Sequence, residues 1–313
     1  MINKASIEDN IFQFNKMMKL FPFKKGTLPI AYIIPKNKNL NKYRPIISYS
    51  NHSLKKLLKI ASRGLFHILK NIKSIKHFNI TKSTEFMEFI KDIKLKSSKQ
   101  YMLIKGDIKE MFSNIPHEEL KKTINWFINI YKQEHNSEII SIKVNGKIET
   151  YTGYYDGKKK RLFKEITLDQ IKNIAFFDID NAFMKFGNYI LKQIIGIPMG
   201  SPISPILATL YCSRAEYYFL TSINMNLKIQ GVRYIDDILL IIESKTKKDF
   251  NIKVENIVKD LDGLYKNNSG VKLEIEEKGK KVNFLENEVS IYNNKIEIDY
   301  INKNEKLIEE KNK

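Results

Sequence analysis

Cysteine is almost absent from this sequence: Cys212 stands alone. One thiol can form no intrachain disulfide and no cysteine-based metal site, so an intracellular compartment is the default expectation. No apolar run approaches the ~20 residues of a membrane span. The start, Met1-Ile2-Asn3-Lys4, carries no apolar signal-peptide core. With 8 Pro and 13 Gly in 313 residues, no linker divides the chain, and no internal repeat is visible. None of the histidines (His52, His67, His77, His117, His135) has a partner at metal-ligand spacing. Acidic residues are short in number: 35 Asp and Glu face 54 Lys and Arg, a formal net charge of +19.

A hydrophobic content of 42% argues against disorder, and the length suffices for a sizeable core in one or two units. The cations recur throughout: Lys55-Lys56, then Lys70, Lys73 and Lys76, then Lys94, Lys96 and Lys99, then Lys158-Lys159-Lys160-Arg161. Such a balance suits a polyanion partner, and aromatic residues are plentiful enough to stack on bases. An AT-rich genome also inflates Lys, Asn and Ile, but it leaves the shortage of acids unexplained.

The pattern of apolar positions predicts strands over 28–34, 45–49 and 101–107, and a helix over 53–72 capped by Ser53. Pro116 and Glu118-Glu119 open a helix to about Tyr131. Residues 136–165 read as an inserted hairpin with turns at Asn145-Gly146 and Asp156-Gly157. Thr167 is a cap candidate for a helix over 168–186, and Ser204-Pro205 starts another to Leu220. A helix from Lys247 to Tyr265 precedes strands near 271–276, 282–285 and 288–292, and the charged end is expected to fray.

Tyr234-Ile235-Asp236-Asp237 lies between apolar runs at a predicted hairpin tip. Adjacent carboxylates repel and are costly to desolvate without a cation. Asp107 supplies a second acid at the end of another apolar strand. Two strands that deliver acids at one sheet end suit a pair of divalent ions, and hard oxygen donors point to Mg²⁺, with Mn²⁺ as substitute. Asp107 and Asp236 are expected to bridge the ions and Asp237 to complete the set. Phe112, five residues after Asp107, is expected to lie under a nucleotide sugar and exclude a 2′-hydroxyl; a core role is its plainer reading. Gly196-Ile197-Pro198-Met199-Gly200-Ser201-Pro202 is a stiff, close-approach loop, read as the floor of a nascent base pair. Lys36, Lys42 and Arg44 are candidates to clamp a triphosphate, Arg44 by bidentate geometry. Asp178 and Asp180 fall in a helical pattern and read as surface. Cys212 and Trp126 read as core.

The order of these blocks resembles a reverse transcriptase over residues 28–292. The resemblance rests on Asp107 with Phe112, Gly200-Ser201-Pro202, Tyr234-Ile235-Asp236-Asp237 and Arg44-Pro45-Ile46. It implies an α+β right hand with fingers and a ferredoxin-like palm, an antiparallel sheet with helices on one face. Residues 1–100 would be fingers, 101–135 the first part of the palm, 136–190 an insertion, 191–292 the rest of the palm and 293–313 a tail or thumb remnant. The thumb is therefore expected to be truncated or absent. Lys278 resembles the lysine that protonates pyrophosphate, Phe284-Leu285 resembles a primer grip, Tyr234 a primer contact and the Ile108 carbonyl a metal ligand. Phe112-Ser113-Asn114-Ile115-Pro116, Met199 and Glu286 resemble Penelope-like elements of the telomerase-related branch, which often carry an endonuclease for which no room remains here. The implied function is RNA-directed DNA polymerisation with an RNA template, a DNA or RNA primer, dNTPs and two Mg²⁺. A nucleic-acid-binding protein without useful catalysis and an RNA-directed RNA polymerase are the alternatives.

Overall fold

These patterns resolve into elements in the computed structural model, which describes residues 4–22, 24–36, 39–222, 227–244, 249–266 and 270–301. The chain forms two units, Met1–Ile75 with Phe112–Tyr211, and Lys76–Met111 with Cys212–Lys313. The fold is mixed α+β, as the sequence predicts.

The first unit begins with α1 (Lys4–Met18), β1 (Ile30–Lys36), β2 (Asn39–Ser48) and α2 (Lys55–Asn71). Leu58, Leu65 and Ile68 on the apolar stripe of α2 are fully buried, each contributing roughly 1.5–3 kcal/mol. The helix starts after Leu54 without a side-chain cap, so Ser53 does not cap it. α2 packs on α4 (His117–His135) and α5 (Leu168–Asp180). A Cβ on Gly64 would come within 2.5 Å of Ile171, which shows how closely α2 and α5 approach. Thr167 caps α5 with Gln170 in a reciprocal capping box. The helix ends six residues before the expected Phe186: Asn181 folds its amide onto the Phe177 carbonyl, and β7 (Phe183–Phe186) turns through Gly187, at φ +56, into β8 (Tyr189–Lys192). A turn residue with φ > 0 followed by alternating apolar positions is a hairpin signal that the helical reading overlooked. The sheet order is β2-β1-β7-β8.

The insertion is a three-stranded sheet of β4 (Ile139–Lys143), β5 (Thr150–Thr152) and β6 (Phe163–Thr167), in the order β5-β4-β6. Its inner face is held to the core. His67 bonds Thr150 at 2.8 Å and Tyr131 at 3.0 Å, and burial pushes the imidazole pKa down to about 4.

In the second unit, α3 (Ser83–Asp92) precedes β3 (Gln100–Lys109). The helix α6 (Ser204–Ser222) enters from the first unit, followed by β9 (Leu227–Tyr234), β10 (Asp237–Ser244), α7 (Phe250–Gly263) and β11 (Lys272–Gly279). Lys247, the expected start of α7, lies outside the described residues. Ser204 is the first residue of α6 rather than its cap, and its buried hydroxyl finds no partner among the described residues. The antiparallel sheet order β11-β3-β10-β9, with α6 between β3 and β9 and α7 between β10 and β11, is the ferredoxin-like βαββαβ arrangement. Strand alternation sorts the side chains by face. Leu103, Val232, Leu239 and Ile241 share one face with a cluster that includes Phe86 of α3. Ile90 of α3, Tyr101 of β3 and the inner face of a small sheet of β12 (Lys281–Phe284), β13 (Asn287–Tyr292) and β14 (Lys295–Tyr300) complete that cluster. β14 is a correction: the end of the described chain forms a strand paired with β13 instead of fraying. Residues 302–313 of the expected tail lie outside the described residues.

Candidate active site

Three parallel facts of register build the acidic face of the second unit. Asp107 on β3 stands opposite Asp237 on β10 and opposite Glu274 on β11, and Asp237 stands opposite Tyr234 on β9. Directly opposed residues of antiparallel neighbours share a face, so these four side chains form one row across the sheet. Lys105 and Lys109, two residues to either side of Asp107, point to that face as well. A bulge between Ile275 and Glu277 brings in Glu276.

Opposed carboxylates repel, and here lysines compensate them. The Lys109 ammonium lies 2.5 Å from Asp107, 3.2 Å from Glu276 and 3.5 Å from Glu274. Lys105 pairs with Glu276 and lies 3.6 Å from Asp237. Burial pushes the Asp237 carboxyl up against the pull of Lys105, and the Asp107 charge adds to the rise. Burial opposes the charges of Lys105 and Lys109, but their acidic partners outweigh it and raise both. Among the described residues, no three acids or histidines are gathered closely enough to hold a metal ion as they stand.

The tip between β9 and β10 is a two-residue loop. Ile235 takes φ +60 there, a conformation costly for a β-branched residue. Two bonds hold it. The Arg233 guanidinium donates to the Ile235 carbonyl at 3.1 Å, and the Ile108 N–H donates to the Asp236 carbonyl at 2.9 Å. Arg233 is fully buried on the opposite face of the sheet from Asp237. It pairs with Glu216 of α6 and reaches Ser213 at 3.3 Å. Glu216 in turn accepts from the Tyr265 hydroxyl at 2.9 Å and the Phe78 N–H at 2.9 Å. A charge pair without water requires such saturation. Cys212 is buried nearby, its thiol pushed up to about 12 by burial.

Other expected site residues in this unit are placed differently. Lys278 lies on β11 and forms an ion pair with Glu255 of α7 at 2.5 Å, so it is not gathered with the carboxylates. Phe284 is fully buried edge-on to Phe86, 5.1 Å between centroids. Leu285 occupies the turn after β12 at φ +57.

The first unit carries the glycine loop. Ile197 N–H donates to the Phe112 carbonyl at 2.7 Å, and Gly196 N–H donates to the Ile115 carbonyl at 2.8 Å. His117 bonds the Gly196 carbonyl at 2.8 Å. Farther along, Ile47 N–H donates to the Met199 carbonyl at 2.8 Å. Gly200 takes φ +131, and a Cβ there would sit 2.2 Å from the Ile47 carbonyl oxygen, so only glycine fits. Phe112 is half-buried; Lys36, Lys42 and Arg44 are exposed on the β1–β2 hairpin. Pro202 follows Ser201, which is buried.

Asp178 is the main correction. It is buried rather than surface, accepts from the Ser201 hydroxyl at 3.1 Å and is bonded by Tyr49. Burial pushes its carboxyl up to about 7, against the pull of both hydroxyls. The signal lay in the spacing: Ile171, Ile174, Ala175 and Asp178 form one stripe of α5. Asp180, off that stripe, is exposed and pairs with Lys121 at 2.6 Å. Lys105, Lys109, Glu274 and Glu276 were also missed, although strand alternation places the lysines beside Asp107.

A profile described as reverse transcriptase (RNA-dependent DNA polymerase) matches residues 34–291. The chain belongs to the reverse transcriptase family, a class of nucleotidyl-transferring polymerases that use divalent metal ions. No curated protein matches the chain. Among solved structures, apo telomerase from Candida tropicalis is similar at TM-score 0.57 and 15% identity, covering 93% of this chain and 51% of its own. Telomerase from the same yeast in complex with a fragment of telomeric RNA gives TM-score 0.59 at 16% identity, over 93% and 48%. The Candida albicans telomerase complex gives 0.58 at 14%, over 95% and 49%. These likenesses concern the fold, and the chain spans about half the length of those telomerases.

Proposed function

We propose that the chain is an RNA-directed DNA polymerase that extends a primer 3′-end with dNTPs on an RNA template. The observation that carries this reading is the opposition of Asp107 and Asp237 across β3 and β10, with Asp236 at the tip, in a chain of this family. The donors fit hard divalent ions: all are oxygens, three of them from carboxylates, and burial raises Asp237 with the Asp107 charge adding to the rise, a cost that a cation between them would offset. Asp107, Asp236, Asp237 and the Ile108 carbonyl would hold two Mg²⁺. Bound there, the ions would acidify the primer hydroxyl and neutralise the phosphates. Lys105 and Lys109, which now pair with Asp107, Asp237, Glu274 and Glu276, would remain as counter-charges to Glu274 and Glu276 with ions bound. Arg233 and Ile108 fix the tip that carries Asp236.

Arg44, Lys36 and Lys42 are assigned to the triphosphate, Phe112 to the sugar, and Gly200-Ser201-Pro202 to the base. Tyr234 and the turn Phe284-Leu285 are assigned to the primer. Lys278 has the weakest claim as the acid for pyrophosphate, because Glu255 holds it. Residues 1–100 are read as fingers and 101–135 with 191–292 as palm. The Penelope-like motifs support a place in that branch.

Primer extension with Mg²⁺ or Mn²⁺ tests the assignment. Asp107→Ala and Asp236→Ala are each expected to lose at least about a hundredfold in rate, since charge stabilisation at a phosphoryl centre is lost. Wild-type rates in both variants would reject it. The lysines already seated among the acids favour one second reading, a palm that binds nucleic acid without extending it. Retained binding with no extension by the wild-type protein would identify that case.

A further inference from the structure

The insertion contains more than its attachment to the core requires. Register places Tyr151 of β5 and Glu165 of β6 on the outer face, on either side of Ser141 of β4, which is buried beneath Gly153 and Tyr155, with Phe163 opposite Lys143 at the edge. Thr150 and Thr152 point inward, where they meet His67. On the outer face three rings gather: Tyr151 and Tyr155 at 4.7 Å, Tyr155 and Phe163 at 4.2 Å, Tyr151 and Phe163 at 5.5 Å. Tyr151 is 42% exposed, and Tyr154, beside them in sequence, is 65% exposed.

The surrounding charge is one-sided. Between Lys143 and Glu165 there are seven cations and three acids, and Lys158-Lys159-Lys160-Arg161 are consecutive and exposed. Glu149 is engaged by Lys143, and Glu165 lies 3.9 Å from Lys160. The run thus keeps an excess of cations next to exposed rings. An apolar protein partner would have no use for that excess, whereas a strand of bases and phosphates uses both.

We propose that the outer face of the insertion is a binding surface for single-stranded nucleic acid, with Tyr151 and Tyr154 stacking on bases and Lys158–Arg161 contacting phosphates. Naming that strand as template rests on the polymerase reading; the binding does not.

The test measures binding of a short labelled single-stranded oligouridylate to the full chain, without dNTPs or metal ions, across a salt series. Tyr154→Ala is expected to weaken binding roughly fivefold or more, as loss of one stacked base does. Tyr154→Phe, which keeps the ring, is expected to bind like the wild type. Replacing Lys158 and Lys159 by Ala is expected to flatten the plot of log affinity against log salt by about 1.4, close to 0.7 for each lost phosphate contact. Because these side chains are exposed, the variants should retain the wild-type melting temperature. Unchanged affinity in Tyr154→Ala together with an unchanged salt slope in the lysine variant would overturn the proposal. Loss of extension with this binding intact would count against the polymerase reading alone.

Discussion

Asp178 shows how much one residue's position on a helix decides. A carboxylic acid on the apolar stripe of α5 is driven toward its neutral form, in which it can still bond Ser201 and Tyr49. Its native pKa, about 7, exceeds the ordinary value of 3.8. A raised carboxyl pKa means that the folded state binds the proton more tightly. Its contribution to stability is therefore full below about pH 4 and is lost as pH rises through about 7. Over that window stability should fall by up to about 1.4 kcal/mol per pH unit from this group. Asp178→Asn mimics the neutral acid and is expected to flatten that dependence in urea titrations. An unchanged pH profile in the variant would place the burial cost elsewhere. Asp236 and Asp237 stand out in the sequence because adjacent acids between apolar runs demand an explanation, and Asp107 because it ends another apolar strand. Asp178 was not, because Phe176-Phe177-Asp178-Ile179-Asp180 mimics a solvated acidic pair unless the helical stripe is counted.

At the scale of elements, the β9–β10 hairpin depends on what lies behind it. Arg233, Glu216 and Tyr265 tie the hairpin to α6 and to the end of α7 through groups wholly removed from water. Arg233→Met strands the Glu216 carboxylate and is expected to cost about 3–5 kcal/mol. Combining it with Glu216→Gln removes both charges, keeps an acceptor for the Phe78 N–H and the Tyr265 hydroxyl, and should recover most of that loss. Extension should nevertheless remain impaired in the stable double variant, because the Ile235 carbonyl has lost its donor. Recovery of stability and of rate together would reduce the pair to a packing feature. The strands and helices of the palm were readable from alternation and helical spacing, and the Thr167 cap was read correctly. Hairpin β7–β8 and strand β14 were not, since short apolar segments fit either helix or strand until their pairing partners are known.

At the scale of the molecule, the chain divides into two units. The second presents the acids on a ferredoxin-like sheet, and the first holds the glycine loop, the cationic hairpin and the insertion. The net charge of +19 accords with a polyanion partner. The family match and the telomerase-like fold agree with the sequence reading on class. Alternation along β3 already sets Lys105 and Lys109 on the face of Asp107; what sequence could not supply was Glu274 and Glu276, which only the register of β11 brings beside them. No described helix is long and apolar enough to cross a membrane. Which polymer is copied into which is read from extension of one primer by the wild-type chain on matched RNA and DNA templates, with dNTPs or rNTPs and Mg²⁺. A DNase-sensitive product on the RNA template with dNTPs is expected, and increased ribonucleotide use when Phe112 is replaced by Ala. An RNase-sensitive product from rNTPs in the wild type, or no product on any template, would contradict RNA-directed DNA polymerisation.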